Sequence, residues 1–127
     1  TLESITQQTE AYPDVTARRY RLAAEQVADL VNALIDQRGW PVTGRRPTAI
    51  GQPELTIEAL ASTPILAFPA DVAVRLTDET ETTYVDMRSA SRYGLHDLGE
   101  NAARIETFLT ELDAEVAKQA GVAPPAQ

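Results

Sequence analysis

Two stretches, "DVAVRL" at residues 71–76 and "TYVDMRSAS" at 83–91, alternate apolar and polar side chains with a period of two. A helix cannot keep that pattern on one face, because its side chains return every 3.6 residues. A strand can, because successive side chains point to opposite sides. Val72, Val74 and Leu76 share one side of the first stretch, and Val85 and Met87 share one side of the second. The acidic turn "TDETET" between them predicts an antiparallel hairpin. Keeping both apolar sets on a common face predicts residue 74 opposite 85 and 72 opposite 87. Asp71 then falls opposite Arg88, Ala73 opposite Asp86, and Arg75 diagonal to Asp86. A slip of one residue would turn every side chain to the wrong face. Ion pairs among Asp71, Arg75, Asp86 and Arg88 are therefore expected on the side away from the core.

A sheet with one apolar face needs a cover, and two amphipathic helices supply it. From about residue 15 to 38, Tyr20, Ala24, Val27, Leu30, Val31, Leu34 and Ile35 recur in steps of three and four, which predicts one helical stripe. Asp14 or Thr16 is its expected N-cap, and Gly39 its left-handed stop. A second helix is expected from Asp97, with Glu100 reaching back to the cap and Ile105, Phe108, Leu109, Leu112 and Val116 buried. Residues 40–46 and 55–63 carry further strand signals, and Thr1 to Gln8 reads as a weak edge strand. The expected fold is α+β, an antiparallel sheet of four to five strands with two helices on one face. Its order is strand, helix, four strands, helix, similar to helix-grip or TATA-binding-like architectures. Residues 1–119 form a single domain on this reading, and 120–127, ending "APPAQ", a disordered tail.

Charge narrows the functions. The chain carries a formal −8, and Lys118 is its only lysine. Nucleic-acid binding requires a basic face, so a nucleic-acid partner is not expected. No cysteine is present, which removes disulfides, thiolate metal sites and cysteine nucleophiles together. No apolar run approaches the roughly 20 residues of a membrane span. Because the chain starts at Thr1 without a methionine, a preceding segment is expected to have been removed, and a membrane or export element would have gone with it.

The densest stretch is "YVDMRSASRYGLHDLGENAARI", residues 84–105. With the upstream "DVAVR" it resembles the DUF1499 family, whose signature runs V-D-x-R-S-x-S-R, then G, D, G, N and R-I. These map onto Val85, Asp86, Arg88, Ser89, Ser91, Arg92, Gly94, Asp97, Gly99, Asn101, Arg104 and Ile105. The resemblance implies bacterial proteins and plastid relatives, often with an N-terminal membrane or export segment, and no established reaction. It thus implies a periplasmic or otherwise extracytoplasmic, envelope-associated domain.

Two accounts of this stretch stand side by side. In one, Arg88, Ser89, Ser91, Arg92, Asn101 and Arg104 form an anion-binding pocket for a carboxylate or phosphate near a helix N-terminus. In the other, the arginines pair with Asp71 and Asp86, while the serines and Asn101 satisfy backbone where the strand turns into the helix. His96, Asp97 and Glu100 lack a second histidine, so no metal and no cofactor is expected. No nucleophile elbow accompanies Ser89 or Ser91. The loop "STPILAFPAD", with Ile65, Leu66 and Phe68, is the candidate partner surface. The expected function is a non-catalytic domain acting through a protein or ligand contact on that loop and on the open sheet face, which carries Thr56, Glu58, Arg75, Asp86 and Arg88. The alternative is a small-molecule binder or enzyme built on the anion pocket.

Overall fold

Strand β4 (Ala70–Asp78) and strand β5 (Thr83–Ser91) pair antiparallel, as their alternation requires. The computed structural model describes residues 17–47, 54–62, 69–91 and 98–120. In chain order the remaining elements are strand β1 (Ala17–Tyr20), helix α1 (Ala24–Gln37), strand β2 (Val42–Pro47), strand β3 (Glu54–Ala61) and helix α2 (Leu98–Ala120). The strands form one antiparallel sheet in the order β1-β5-β4-β3-β2. The class is α+β, and the element order is strand, helix, four strands, helix, as expected.

The pairing within the hairpin differs from the expected one by two residues. Val74 faces Met87, Leu76 faces Val85, and Arg75 lies directly opposite Asp86. Asp71 faces Ala90 rather than Arg88, and Ala73 faces Arg88 rather than Asp86. Strand β4 runs two residues further into the acidic segment than expected, to Asp78, leaving only residues 79–82 as the turn, while β5 starts at Thr83 as expected. Thr80 there takes φ 80°, held by a hydrogen bond from its N–H to Asp78 Oδ1 at 2.8 Å and by the 2.9 Å bond from Glu79 N–H to the Thr82 carbonyl. A two-residue shift preserves the faces, so the side assigned to every residue is unchanged.

Ala17–Tyr20 is an edge strand and not the start of the first helix, which begins at Ala24 after an Ala23 N-cap that makes no side-chain hydrogen bond. The expected caps Asp14 and Thr16 lie outside the described residues, as does the expected strand at Thr1 to Gln8. The strand is stabilised by side chains that a helix would have scattered. Arg18 and Tyr20 point inward beside Val85 and Thr83, and both reach Asp113 on α2. Tyr20 donates its hydroxyl to Asp113 Oδ1 at 2.5 Å, and Arg18 Nε lies 3.2 Å from both carboxylate oxygens. Asp113 is buried, so the arginine and the phenol replace its lost water.

The core lies between the sheet and both helices. Ile57, Ala59, Val72, Val74, Leu76, Val85 and Met87 cluster with Val27, Val31, Leu34 and Ile35 of α1 and with Ile105, Phe108, Leu109 and Leu112 of α2. Each fully buried valine, leucine or isoleucine contributes about 1.5–3 kcal/mol. Helix α1 ends in a Schellman motif. The Gly39 N–H bonds to the Asp36 carbonyl and the Trp40 N–H to the Ile35 carbonyl, with Gly39 at φ 72°. That turn swings Trp40 back onto the core, where its ring stacks on Phe108 with centroids 6.1 Å apart. Among the described residues, no helix is long and apolar enough to cross a membrane.

Burial first, then the hydrogen bond to Asp113, pushes the Tyr20 phenol well above the ordinary tyrosine range. A pKa raised in the folded state contributes stability that is complete below the unfolded value, about 10, and is lost as pH climbs past it. In an alkaline titration followed by tyrosinate absorbance, Tyr20 is expected to ionise only as the chain unfolds. Tyr20→Phe should cost about 1–3 kcal/mol at neutral pH and flatten the decline in stability above pH ~10. Stability of the variant equal to that of the parent at neutral pH, with the same alkaline decline, would contradict this role for the phenol.

Candidate functional site

The alternation of β5 divides the candidate residues between two sides of the sheet. Val85, Met87, Ser89 and Ser91 are the odd-numbered positions that continue the core face, whereas Tyr84, Asp86 and Arg88 occupy the opposite, open face. The anion pocket expected from Arg88 together with Ser89 and Ser91 is therefore not assembled as one cluster. The serines stand on the helix side and Arg88 does not.

On the helix side, Ser89, Ser91, Asn101 and Arg104 do come together. Ser89 donates its hydroxyl to Asn101 Oδ1 at 2.7 Å, and Asn101 Nδ2 donates to Ser91 Oγ at 3.2 Å. Arg104 Nη1 donates to Asn101 Oδ1 at 2.8 Å and to Ser89 Oγ at 3.1 Å, and Arg104 Nη2 reaches Glu100 at 3.2 Å. The local sequence explains the arrangement. Asn101 and Arg104 lie three residues apart on α2, on the face turned toward the end of β5, where Ser89 and Ser91 share the inner side. Asn101 is buried and the Arg104 side chain is only 9% exposed, so each polar atom left without a partner would be costly. This cluster ties the first turns of α2 to the last residues of β5. Chemically it is a charge-assisted lock, with both serine hydroxyls held by Asn101 and Arg104.

On the open face, Arg75 Nη2 bonds to Asp86 Oδ2 at 3.1 Å, and Arg88 Nε approaches the same oxygen at 4.0 Å. Cross-strand rows explain the relief of this surface. Asp86, Arg75 and Thr56 lie in one row, and Arg88, Ala73 and Glu58 in the next. The small Ala73 between longer neighbours leaves a depression of about 130 Å³, walled by Thr56, Arg75, Asp86 and Arg88. Arg88 is 77% exposed and Arg75 42%. Ion pairs this exposed are worth at most about 1 kcal/mol to stability. Nearby, Arg19 lies 4.8 Å above the Tyr84 ring and forms a two-pronged bond with Glu79 at 3.0 and 3.2 Å. Arg19 and Thr82 together hold the Glu79 carboxyl below the usual carboxylate range.

Arg92, His96 and Asp97, and the loop residues Ile65, Leu66 and Phe68, lie outside the described residues. Among the described residues, no group of three histidine, aspartate or glutamate side chains is placed to hold a metal ion. Thr56 lies on the open face, as expected. Ala73 is the wall residue that the sequence reading leaves out, although its parity sets it on the same face as Arg75 and Arg88 once the strands are paired.

Fold and side-chain arrangement together define an open-sheet α+β domain with a polar lock on the side covered by the helices and an exposed arginine on the side that neither described helix covers. The sequence profile of the family described as "Protein of unknown function (DUF1499)" matches residues 3–112, and the chain belongs to that family. No curated protein matches the chain.

Replacing Asn101 by Leu removes the acceptor and donor that join Ser89, Ser91 and Arg104. The expected cost is about 2–3 kcal/mol in chemical denaturation, with Arg104 left partly unpaired. Exposed Glu106→Gln on the same helix should shift stability by less than about 0.5 kcal/mol. Equal small effects for both substitutions would show that the network does not hold the helix.

Proposed function

We propose that this is a non-catalytic binding domain of the cell envelope that meets a protein partner through the open face of its sheet, with Arg88 at the contact. One observation carries the reading: the Arg88 guanidinium stands 77% exposed at the rim of a depression, on a sheet face that neither described helix covers. Five paired strands make a rigid platform, so little conformational entropy is lost when a partner settles on it. Arginine is among the residues that dominate protein interfaces, because its planar fork pairs with carboxylates and stacks on flat groups. The face alternates Arg19, Arg75 and Arg88 with Asp86, Asp71 and Glu58, a pattern that selects a partner by charge complementarity. The engagement of Ser89 and Ser91 with Asn101 and Arg104 supports a binding role over a hydrolytic one, since neither hydroxyl is held by a base in that network. The envelope placement is proposed from the family resemblance, with its export and membrane segments.

A photoreactive side chain placed at Thr77 on the open face of the full-length protein, in its native cell, should yield a discrete crosslinked partner in the envelope fraction. The same group at Glu106, on the outer side of α2, should not. Arg88→Glu should cut the Thr77 crosslink by about tenfold while leaving the unfolding midpoint unchanged. Equal crosslinking from both positions, or a Thr77 crosslink indifferent to Arg88→Glu, would refute the proposed contact.

A further inference from the structure

A second concavity lies on the helix side, independent of the open face. It is a groove of about 310 Å³ where the turn after α1 and the end of β3 face α2, and its walls include Arg38, Trp40, Ser62, Ala103, Arg104 and Thr107. Two features separate it from an ordinary surface furrow. Arg38 sits at the α1 C-cap immediately before the Gly39 turn, and its guanidinium carbon lies 5.0 Å from the Phe108 ring centroid and 5.5 Å from that of Trp40. The two stacked rings fix the guanidinium in place. Arg104, from α2, is held by Ser89 and Asn101 from behind and by Glu100 from the side.

Both arginines are thus largely buried and already oriented, at 18% and 9% side-chain exposure. A cation organised before binding loses little entropy when it takes an anion, and its pairing is stronger where water is scarce. Burial also pushes the Arg38 guanidinium below its ordinary value. Each arginine has one acidic neighbour, Glu111 for Arg38 and Glu100 for Arg104, so the groove offers an anion oriented guanidinium donors rather than a net positive charge. Among the described residues, the Nε groups of Arg38 and Arg104 donate no hydrogen bond. The Trp40 ring and the Ala103 methyl complete an apolar wall beside these donors, and the Ser62 and Thr107 hydroxyls add neutral ones. Apolar surface with a few convergent charged groups is the usual composition of a small-molecule site.

We propose that this groove binds a small organic carboxylate, its head taken by Arg38 and Arg104 and its apolar body laid against Trp40. The site does not depend on the open-face contact, and either can fail without the other. Trp40 is the only tryptophan in the chain, so its fluorescence reports directly on occupancy of the groove. Titration of the protein with hexanoate should give a saturable change in that fluorescence. Hexanamide, of the same shape without the charge, should bind at least about tenfold more weakly, and inorganic phosphate, with charge but no apolar body, likewise. Arg38→Gln should weaken hexanoate by about tenfold, measured by calorimetry because the substitution also alters the Trp40 environment. Ala103→Phe, at an exposed position on the groove wall, should fill the groove and abolish the response while the unfolding midpoint stays unchanged. Hexanamide or phosphate binding as tightly as hexanoate, an unaffected titration in Ala103→Phe, or no saturable response at all would overturn the proposal.

Discussion

The burial of one side of a five-stranded sheet beneath two helices is the constraint on which the rest of this structure depends. Ile57, Val72, Val74, Leu76, Val85 and Met87 leave water together, and the pleat then dictates where every intervening side chain goes. Arg75, Asp86 and Arg88 are sent outward because their neighbours are sent inward. Ser89 and Ser91 continue the inner row and meet α2. No local preference of these polar residues chooses their side. The apolar alternation chooses it for them, and the two candidate surfaces of the protein are consequences of that choice.

Polar groups forced to the inner side then have to be satisfied there. At one end of the sheet, Asp113 receives the Tyr20 hydroxyl and the Arg18 guanidinium, which fastens the four-residue edge strand β1 to α2. At the other, Asn101 and Arg104 receive Ser89 and Ser91, which fastens the start of α2 to the end of β5. Thr83, fully buried, donates to the Leu22 carbonyl and fixes the link between β1 and α1. Helix α2 is thus tied to the sheet by hydrogen bonds near both of its ends, with apolar packing between them. Among the described residues, no buried side-chain nitrogen or oxygen lacks a partner. The groove beside Trp40 lies where the Gly39 turn brings the end of α1 against the α2 residues next to the second of these networks.

The fold class, the element order and the face of each hairpin residue were legible in the sequence because they follow from periodicity. The pairing within the hairpin was off by two residues for the same reason: alternation fixes parity, while the offset is set by how far the strands extend into the "TDETET" turn, where threonine and acidic residues carry little periodic signal. Periodicity assigns Ala17–Tyr20 to the first helix because Tyr20 falls in step with the stripe of α1. Its pairing with residues 83–86 of β5 makes it strand, and the contact of Tyr20 with Asp113, 93 residues away, holds it there. The proposed pocket of Arg88 with Ser89 and Ser91 joined residues adjacent in sequence whose parity already separated them. Ser89, Ser91, Asn101 and Arg104 meet because one strand end and one helix start bring them together. Arg38 carried no such signal, because its placement depends on the Gly39 turn and on a phenylalanine far along the chain.

The two-sidedness of β5 is testable directly, since the chain contains no cysteine and single thiols can be introduced one at a time at residues 84 to 88. Thiol labelling under native conditions should be fast at positions 84, 86 and 88. At 85 and 87 it should be limited by unfolding and slowed at least about a thousandfold, the range set by the stability of a folded domain. Fast labelling at 85 and 87 with protection at 86 and 88, or a uniform rate along the strand, would contradict the arrangement from which both candidate surfaces follow.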